Sequence, residues 1–241
     1  MGNKILFIFE GEKTEEQIVS NMQSFFVNEN TTVKCVYGAE VYQIYKEIVK
    51  DNDLDTFNLL KERNIENRRV LEDYTREDFA EIYLFFDYDG HSTLANDGRL
   101  HELLEFFKEE TDKGKLYVSY PMVEALKHIC DINNFKNLVI ECKENVSYKK
   151  LVHETCLNCL QNFNKYDLEI WKKLIKAHLM KMNYLVTDSY SFPIDIVTQF
   201  IIFSNQLEKY INPYSKVAVL SAFPIFLHDY YGNQGINERT N

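Results

Sequence analysis

Apolar residues along this chain follow two rhythms. Short, nearly continuous runs alternate with segments in which apolar positions return every three or four residues. The runs are Lys4–Phe9 (KILFIF), Thr32–Tyr37 (TVKCVY), Glu81–Phe86 (EIYLFF) and Lys115–Ser119 (KLYVS). Short runs with little alternation suit strands buried on both faces, as in parallel sheets. Between the first two, Glu15–Val27 places Ile18, Met22, Phe25 and Phe26 on one helical face. Thr14 reads as its N-cap, with Gln17 at the capping-box spacing. Glu40 to about Lys61 and Leu94–Thr111 also read as helical, while Arg63–Asp78 is charged and of no clear period. Pro121 suits the first turn of a helix running to Lys127.

Strand followed by helix, repeated as far as residue 130, predicts an α/β fold: a Rossmann-like parallel sheet flanked by helices. Beyond residue 148 the texture changes. Tyr148–Asn162, Asp167–Met182 and Ile194–Ile211 read as helical, with strand signal only at KVAVLSAF near the end. The expected organisation is an α/β domain over 1–135 and a mainly helical C-terminal part over 136–241, packed on it. No repeat or Pro/Gly-rich linker separates them.

Composition allows a packed core, at 45% hydrophobic and 14% aromatic residues. No run of 18 apolar residues suggests a membrane span, and MGNKILFIFEGE does not fit a signal peptide. Five scattered cysteines, an odd number, read as reduced thiols of a cytoplasmic protein. The net charge of −10 argues against a uniformly nucleic-acid-binding surface. Its distribution says more. Residues 1–112 hold 12 Lys/Arg and 25 Asp/Glu, a net of −13, whereas residues 136–181 hold 9 and 5, a net of +4. A cation-binding acidic half beside a phosphate-holding basic surface gives such a split; so do two ordinary solvated helix faces.

Two of the strand tips carry carboxylates: Glu10 after the first run, Asp87 and Asp89 after the third. The C-terminal ends of parallel strands share one edge, where ligands of α/β sheets bind. Asp87 and Asp89 would face opposite ways in a continuing strand, but a turn at Asp89-Gly90 brings both to one place. Carboxylates crowded together repel unless one is protonated. A hard cation removes that cost, so Glu10, Asp87 and Asp89 form a candidate Mg²⁺ or Mn²⁺ site.

At ILFIFEGEKTE and YLFFDYDGHS the chain resembles the TOPRIM domain, the metal-binding module of topoisomerases, primases and several nucleases. EGEKTE looks most like the RloB-like and abortive-infection TOPRIM proteins of anti-phage defence, related to OLD-type nucleases. SYPMVEALKH sits where those proteins carry a Pro-x-x-Glu segment, with Glu124 as its acid. The resemblance covers about residues 4–130. It implies a TOPRIM-like fold and a metal-dependent nuclease acting on DNA or on RNA such as tRNA. Glu10, Asp87 and Asp89 would be its catalytic and metal-binding residues, with Glu124 a further metal candidate. It also implies a toxic effector controlled by an ATPase partner. The chain lacks a Gly-x-x-x-x-Gly-Lys-Ser/Thr loop, so that ATPase would be another chain. Charge adds Lys149 and Lys150 as phosphate contacts. A homo-oligomer is left open.

Other readings stand beside this one. LFFDYDGHSTL also resembles the first motif of haloacid-dehalogenase-type phosphatases, with Asp87 as nucleophile and Asp89 as acid/base. That reading departs at His91 and leaves Glu10 without a role. A third reading is a TOPRIM-like binding module that cuts nothing. Trp171 with Lys172, Lys173 and Lys176 is either a base-stacking, phosphate-holding patch or an amphipathic helix with Trp171, Leu174 and Ile175 inward. His153, Cys156 and Cys159 in HETCLNC hint at zinc, but with no fourth ligand in view they read as buried thiols.

Overall fold

The computed structural model of the chain describes residues 3–27, 31–51 and 53–240. Its main sheet has five strands: β1 (Lys4–Phe9), β2 (Thr32–Val36), β3 (Phe79–Asp87), β4 (Lys108–Glu109) and β5 (Gly114–Ser119), in the order β2-β1-β3-β5-β4. β1 runs parallel to both β2 and β3. The two-residue β4 pairs antiparallel to β5. The expected α/β class, a mostly parallel sheet flanked by helices, is what the chain forms.

The reason lies in the apolar runs. Ile5 to Phe9 are all buried, as are Ile82 to Phe86. Phe7 meets Phe85 edge-to-face with ring centroids 5.6 Å apart, and Phe9 stacks on Phe85 at the same distance. Each such ring contributes roughly 1.5–3 kcal/mol by leaving water, and each aromatic pair about 0.5–1.5 kcal/mol more. One outer edge of the sheet is closed by a side chain. Asn67, 2% exposed, accepts from the Val36 N–H at 3.1 Å and donates to the Val36 carbonyl at 2.8 Å. It thus occupies both groups that a further strand would use there.

By contacts the chain gathers into two compact units: Met1–Phe86 with Asn96–Leu116, and Asp87–Ala95 with Tyr117–Asn241. The first contains helices α1 (Lys13–Gln23), α2 (Val41–Lys50), α3 (Thr56–Arg63), α4 (Ile65–Val70) and α5 (Asp97–Phe106). The second contains strands β6 (Val139–Glu141) and β7 (Lys216–Ala218), paired antiparallel. Its helices are α6 (Tyr148–Thr155), α7 (Leu168–Thr187), α8 (Gln199–Gln206), the short α9 (Asn212–Tyr214) and α10 (Ala222–Thr240). No helix among the described residues is long and apolar enough to cross a membrane.

Several boundaries depart from the periodicity. The single helix expected from Glu40 to Lys61 is two, because Asp55 ends the gap and caps α3 through the N–H groups of Phe57 and Asn58. The helix expected at Pro121 is only a 3₁₀ turn, Val123–Leu126. The helix expected over Tyr148–Asn162 stops at Thr155 and gives way to two short 3₁₀ turns. α10 was not legible: its apolar and polar residues show no amphipathic stripe, and it breaks at Gly232, where φ is 69°.

Among its described residues the second unit buries four basic side chains, His128, His178, Lys181 and His228. His178 is 0% and His128 and Lys181 1% exposed. Ser221 N–H donates to His178 Nδ1, so the ring proton sits on Nε2, which faces the Leu126 carbonyl at 3.3 Å. Burial, reinforced by Lys181, lowers the His128 imidazole from 6.5 to about 4. Burial lowers that of His178 to about 3, Lys181 acting in the same direction and the Leu126 contact against it. Burial alone drives the Lys181 amine well below its ordinary value. The Lys181 Nζ donates to the Leu138 carbonyl at 2.6 Å and lies 4.3 Å from the centre of the Phe135 ring.

Two outcomes follow from these burials. As pH falls, the unfolded chain protonates its histidines first, near 6.5, while the folded protein resists down to about 4 and 3. Stability is therefore full above 6.5 and lost below it, each group adding a slope of up to about 1.4 kcal/mol per pH unit. Urea midpoints measured from pH 7 to 4 will fall less steeply for His178→Gln than for the wild type; equal slopes contradict neutral burial. Lys181→Met keeps the contact with Phe135 and removes the buried amine. The Leu138 carbonyl retains the Val219 N–H at 3.1 Å, so no acceptor is orphaned. The variant should gain on the order of 1 kcal/mol, read as a higher Tm at pH 7; a lower Tm contradicts this account.

Candidate metal centre

Glu10 stands one residue past β1 and is held by its backbone. Its N–H donates to the Phe85 carbonyl at 3.1 Å, and its carbonyl accepts from Gly38 N–H at 3.0 Å. The chain then enters α1 without the expected cap. The helix begins at Lys13, one residue before Thr14, and no side chain caps it at Glu12. Instead the buried Glu15 reaches back, its Oε1 accepting from the Gly11 N–H at 3.2 Å. A carboxylate in the first turn serves the same exposed amides and dipole as a cap.

Asp87 is the last residue of β3 and is 7% exposed. It lies two residues beyond Phe85, the very residue that binds the Glu10 amide. Asp89 then leaves the strand direction with φ 40°, a left-handed conformation that aspartate tolerates. Its N–H donates to the Pro121 carbonyl at 3.2 Å, and its carbonyl accepts from Ser92 N–H at 2.8 Å. Gly90 is required here by close approach, since a Cβ would stand 2.5 Å from the Tyr88 ring and 2.8 Å from the Cys142 carbonyl. The turn expected at Asp89-Gly90 is thus present.

Glu10, Asp87 and Asp89 each offer a carboxylate oxygen, and the three oxygens lie within 4.8 Å of one another. Among the described residues this is the group of three or more metal-capable side chains so gathered. Two oxygens on one Mg²⁺ at about 2.1 Å stand no more than about 4.2 Å apart, so small side-chain rotations suffice to share an ion. An all-oxygen, three-carboxylate donor set fits Mg²⁺ or Mn²⁺.

Glu124, the further metal candidate, is not one of that group. It is 5% exposed. Its Oε1 lies 3.6 Å from Lys149 Nζ, and its Oε2 accepts no hydrogen bond from the described residues. Tyr148 lies close by: burial first, then Glu124, Asp87 and Cys130, push its phenol well above its ordinary value, so it stays protonated. The Tyr148 hydroxyl meets His128 Nδ1 at 3.0 Å, and His128 Nε2 meets Thr155 Oγ1 at 3.4 Å. Thr155 spends its own proton on the Leu151 carbonyl at 2.7 Å. It therefore accepts from Nε2, and Nδ1 accepts from Tyr148. Tyr148 was signalled only by the adjacent pair Lys149-Lys150, and His128, the last residue of SYPMVEALKH, was given no role. Lys143 was also missed, and its Nζ donates to the Tyr88 hydroxyl at 2.8 Å.

The basic candidates divide. Lys149 pairs with Glu124, and Lys150 approaches Glu154 at 3.9 Å. Lys172, Lys173 and Lys176 lie on α7, with Lys172 paired to Glu169 at 3.2 Å. Trp171 is 0% exposed, with Leu174 and Ile175 also buried. The amphipathic reading of this helix holds, and Trp171 offers no stacking face. In HETCLNC, α6 ends at Thr155, so the three residues do not share a helix. Cys156 is buried but Cys159 is exposed, which corrects the expectation that both thiols are buried.

Divalent ions should stabilise the folded chain by mass action. Millimolar Mn²⁺ or Mg²⁺ is expected to raise the Tm of the wild type, and Asp87→Asn to remove most of that rise. A wild-type Tm indifferent to both ions contradicts a preformed centre.

Comparisons with protein-family models, with curated proteins and with solved structures give no match, and the centre is read from its own residues.

Proposed function

We propose that this chain is a metal-dependent, TOPRIM-like nuclease that hydrolyses phosphodiester bonds of DNA or RNA. The observation that carries the reading is the gathering of Glu10, Asp87 and Asp89 within 4.8 Å from two separate strand tips. A divalent cation held there supplies Lewis-acid stabilisation of the phosphate and an acidified water. Asp87 and Asp89, on one rigid strand end and its turn, hold the cation. Glu10, half-buried and fixed through its backbone to Phe85 and Gly38, receives the proton of the attacking water. Lys149, beside Glu124, faces the phosphate charge. The phosphatase resemblance, with Asp87 as nucleophile, leaves Glu10 unexplained, whereas the nuclease reading gives it a role in the cluster. Control by a separate ATPase chain, in an anti-phage setting, is part of the same proposal.

Glu10→Gln tests it. General-base catalysis contributes about 10²–10⁴-fold, so the variant should lose at least about a hundredfold in cleavage rate while its Tm stays near that of the wild type. Wild type and variant are incubated with Mg²⁺ or Mn²⁺ and with DNA, total tRNA or p-nitrophenyl phosphate, with and without a co-expressed ATPase. Wild-type cleavage by Glu10→Gln, or turnover of the phosphomonoester alone, overturns the assignment.

A further inference from the structure

The second unit contains a cavity of about 360 Å³ that the metal centre does not use. Pro121, Met122, Val146 and Tyr148 give it an apolar wall, Lys149 and Lys150 bring ammonium groups, and His91 an imidazole. The lining also includes Glu141, tied to Lys216 at 3.3 Å, and Glu144 with Asn145, which can accept from and donate to a polar ring edge. Helix α6 starts at this wall, and the side chain of its N-cap Ser147 makes no capping bond. Amide groups at such a start favour an anion in addition to the lysines.

The cavity adjoins the acids. The Pro121 carbonyl in its wall accepts the Asp89 N–H, His91 follows Asp89 by two residues, and Lys149 touches Glu124. An apolar wall, the exposed ammonium groups of Lys149 and Lys150 beside it and a volume at the small-ligand end of the range for binding pockets match one nucleotide: base on the wall, phosphate at the lysines. We propose that this cavity seats one unpaired nucleotide of a strand whose neighbouring phosphate lies at the metal centre. A base still paired and stacked in a duplex cannot enter a recess lined by Pro121 and Tyr148; it must first leave the stack. The protein therefore takes a strand that is single at this position. This deepens the nuclease reading and rests on it for which phosphate is cut, but not for binding.

The test measures binding apart from cleavage. Fluorescent short single strands of mixed sequence, as DNA and as RNA, and the duplexes of each, are titrated by anisotropy in EDTA. The proteins are the wild type, Val146→Trp, which fills the cavity, and Lys150→Ala, on a side chain exposed enough to leave folding intact. Single strands should bind more tightly than duplexes. Val146→Trp should weaken the single strand about tenfold, the loss of one seated base. Lys150→Ala should reduce the slope of log K against log salt by about 0.7, one phosphate contact on a single strand. Equal binding of duplex, or unchanged single-strand binding and salt slope in both variants, overturns the proposal. So does displacement of the strand by free nucleoside monophosphates at equal concentration, which would make a free nucleotide the occupant. If these binding effects appear and no substrate is cleaved with Mg²⁺ or Mn²⁺, the cavity stands and the nuclease reading falls. If cleavage occurs but neither variant alters binding, the cavity falls and the nuclease reading stands.

Discussion

The hydrogen bond from Glu10 N–H to the Phe85 carbonyl is a small interaction on which much depends. It is the last rung of the parallel ladder between β1 and β3, and it sets where each strand stops relative to the other. The rungs behind it are secured by Phe7, Phe9 and Phe85, whose rings pack across the pair. A register slip by one residue would turn every one of these rings to the other face of the sheet, so the aromatic core fixes the register. The register in turn fixes the level of Glu10 against Asp87. Chemistry at the edge is thus inherited from packing in the middle.

Crowding three carboxylates runs against their own electrostatics, and the backbone anchors each of them in place. Glu10 is pinned by two backbone bonds, Asp87 by its strand, and Asp89 by a turn closed onto Pro121 and Ser92. None of these restraints uses a carboxylate oxygen. A divalent ion shared among the three oxygens would relieve repulsion between them. Side chains behind the acids are arranged differently. Tyr148, His128 and Thr155 form a chain of neutral hydrogen bonds ending on the Leu151 carbonyl, which holds its geometry without adding charge near the centre.

Much of this could be read from residues, for physical reasons. Strands buried on both faces announce themselves as unbroken apolar runs, and KILFIF and EIYLFF formed as expected. Their tips carried Glu10, Asp87 and Asp89, and a parallel sheet leaves those tips only one edge to share. Trp171 was legible for a similar reason: with Leu174 and Ile175 it marks a helical stripe, and it is buried. What failed turned on choices that periodicity does not rank. Glu15 displaced Thr14 at the start of α1 because a carboxylate there could bond the Gly11 amide, a choice that local propensity does not rank. α10 carries no stripe because most of its first half is enclosed, so periodicity had nothing to register. Glu124 and Lys149 are 25 positions apart along the chain, and only folding makes them an ion pair.

The side chain of Asn67 has a consequence for the protein in company. A sheet whose flank offers free amide and carbonyl groups is a template on which other chains can zip. Here Asn67 impersonates the missing strand at Val36, giving one acceptor and one donor in the right order, and Asn64 adds a second donor to the same carbonyl at 3.2 Å. Growth of the sheet past β2 is blocked at that rung by a residue too short to propagate it. A strand of a second copy could pair at that rung only by displacing both amide side chains from Val36.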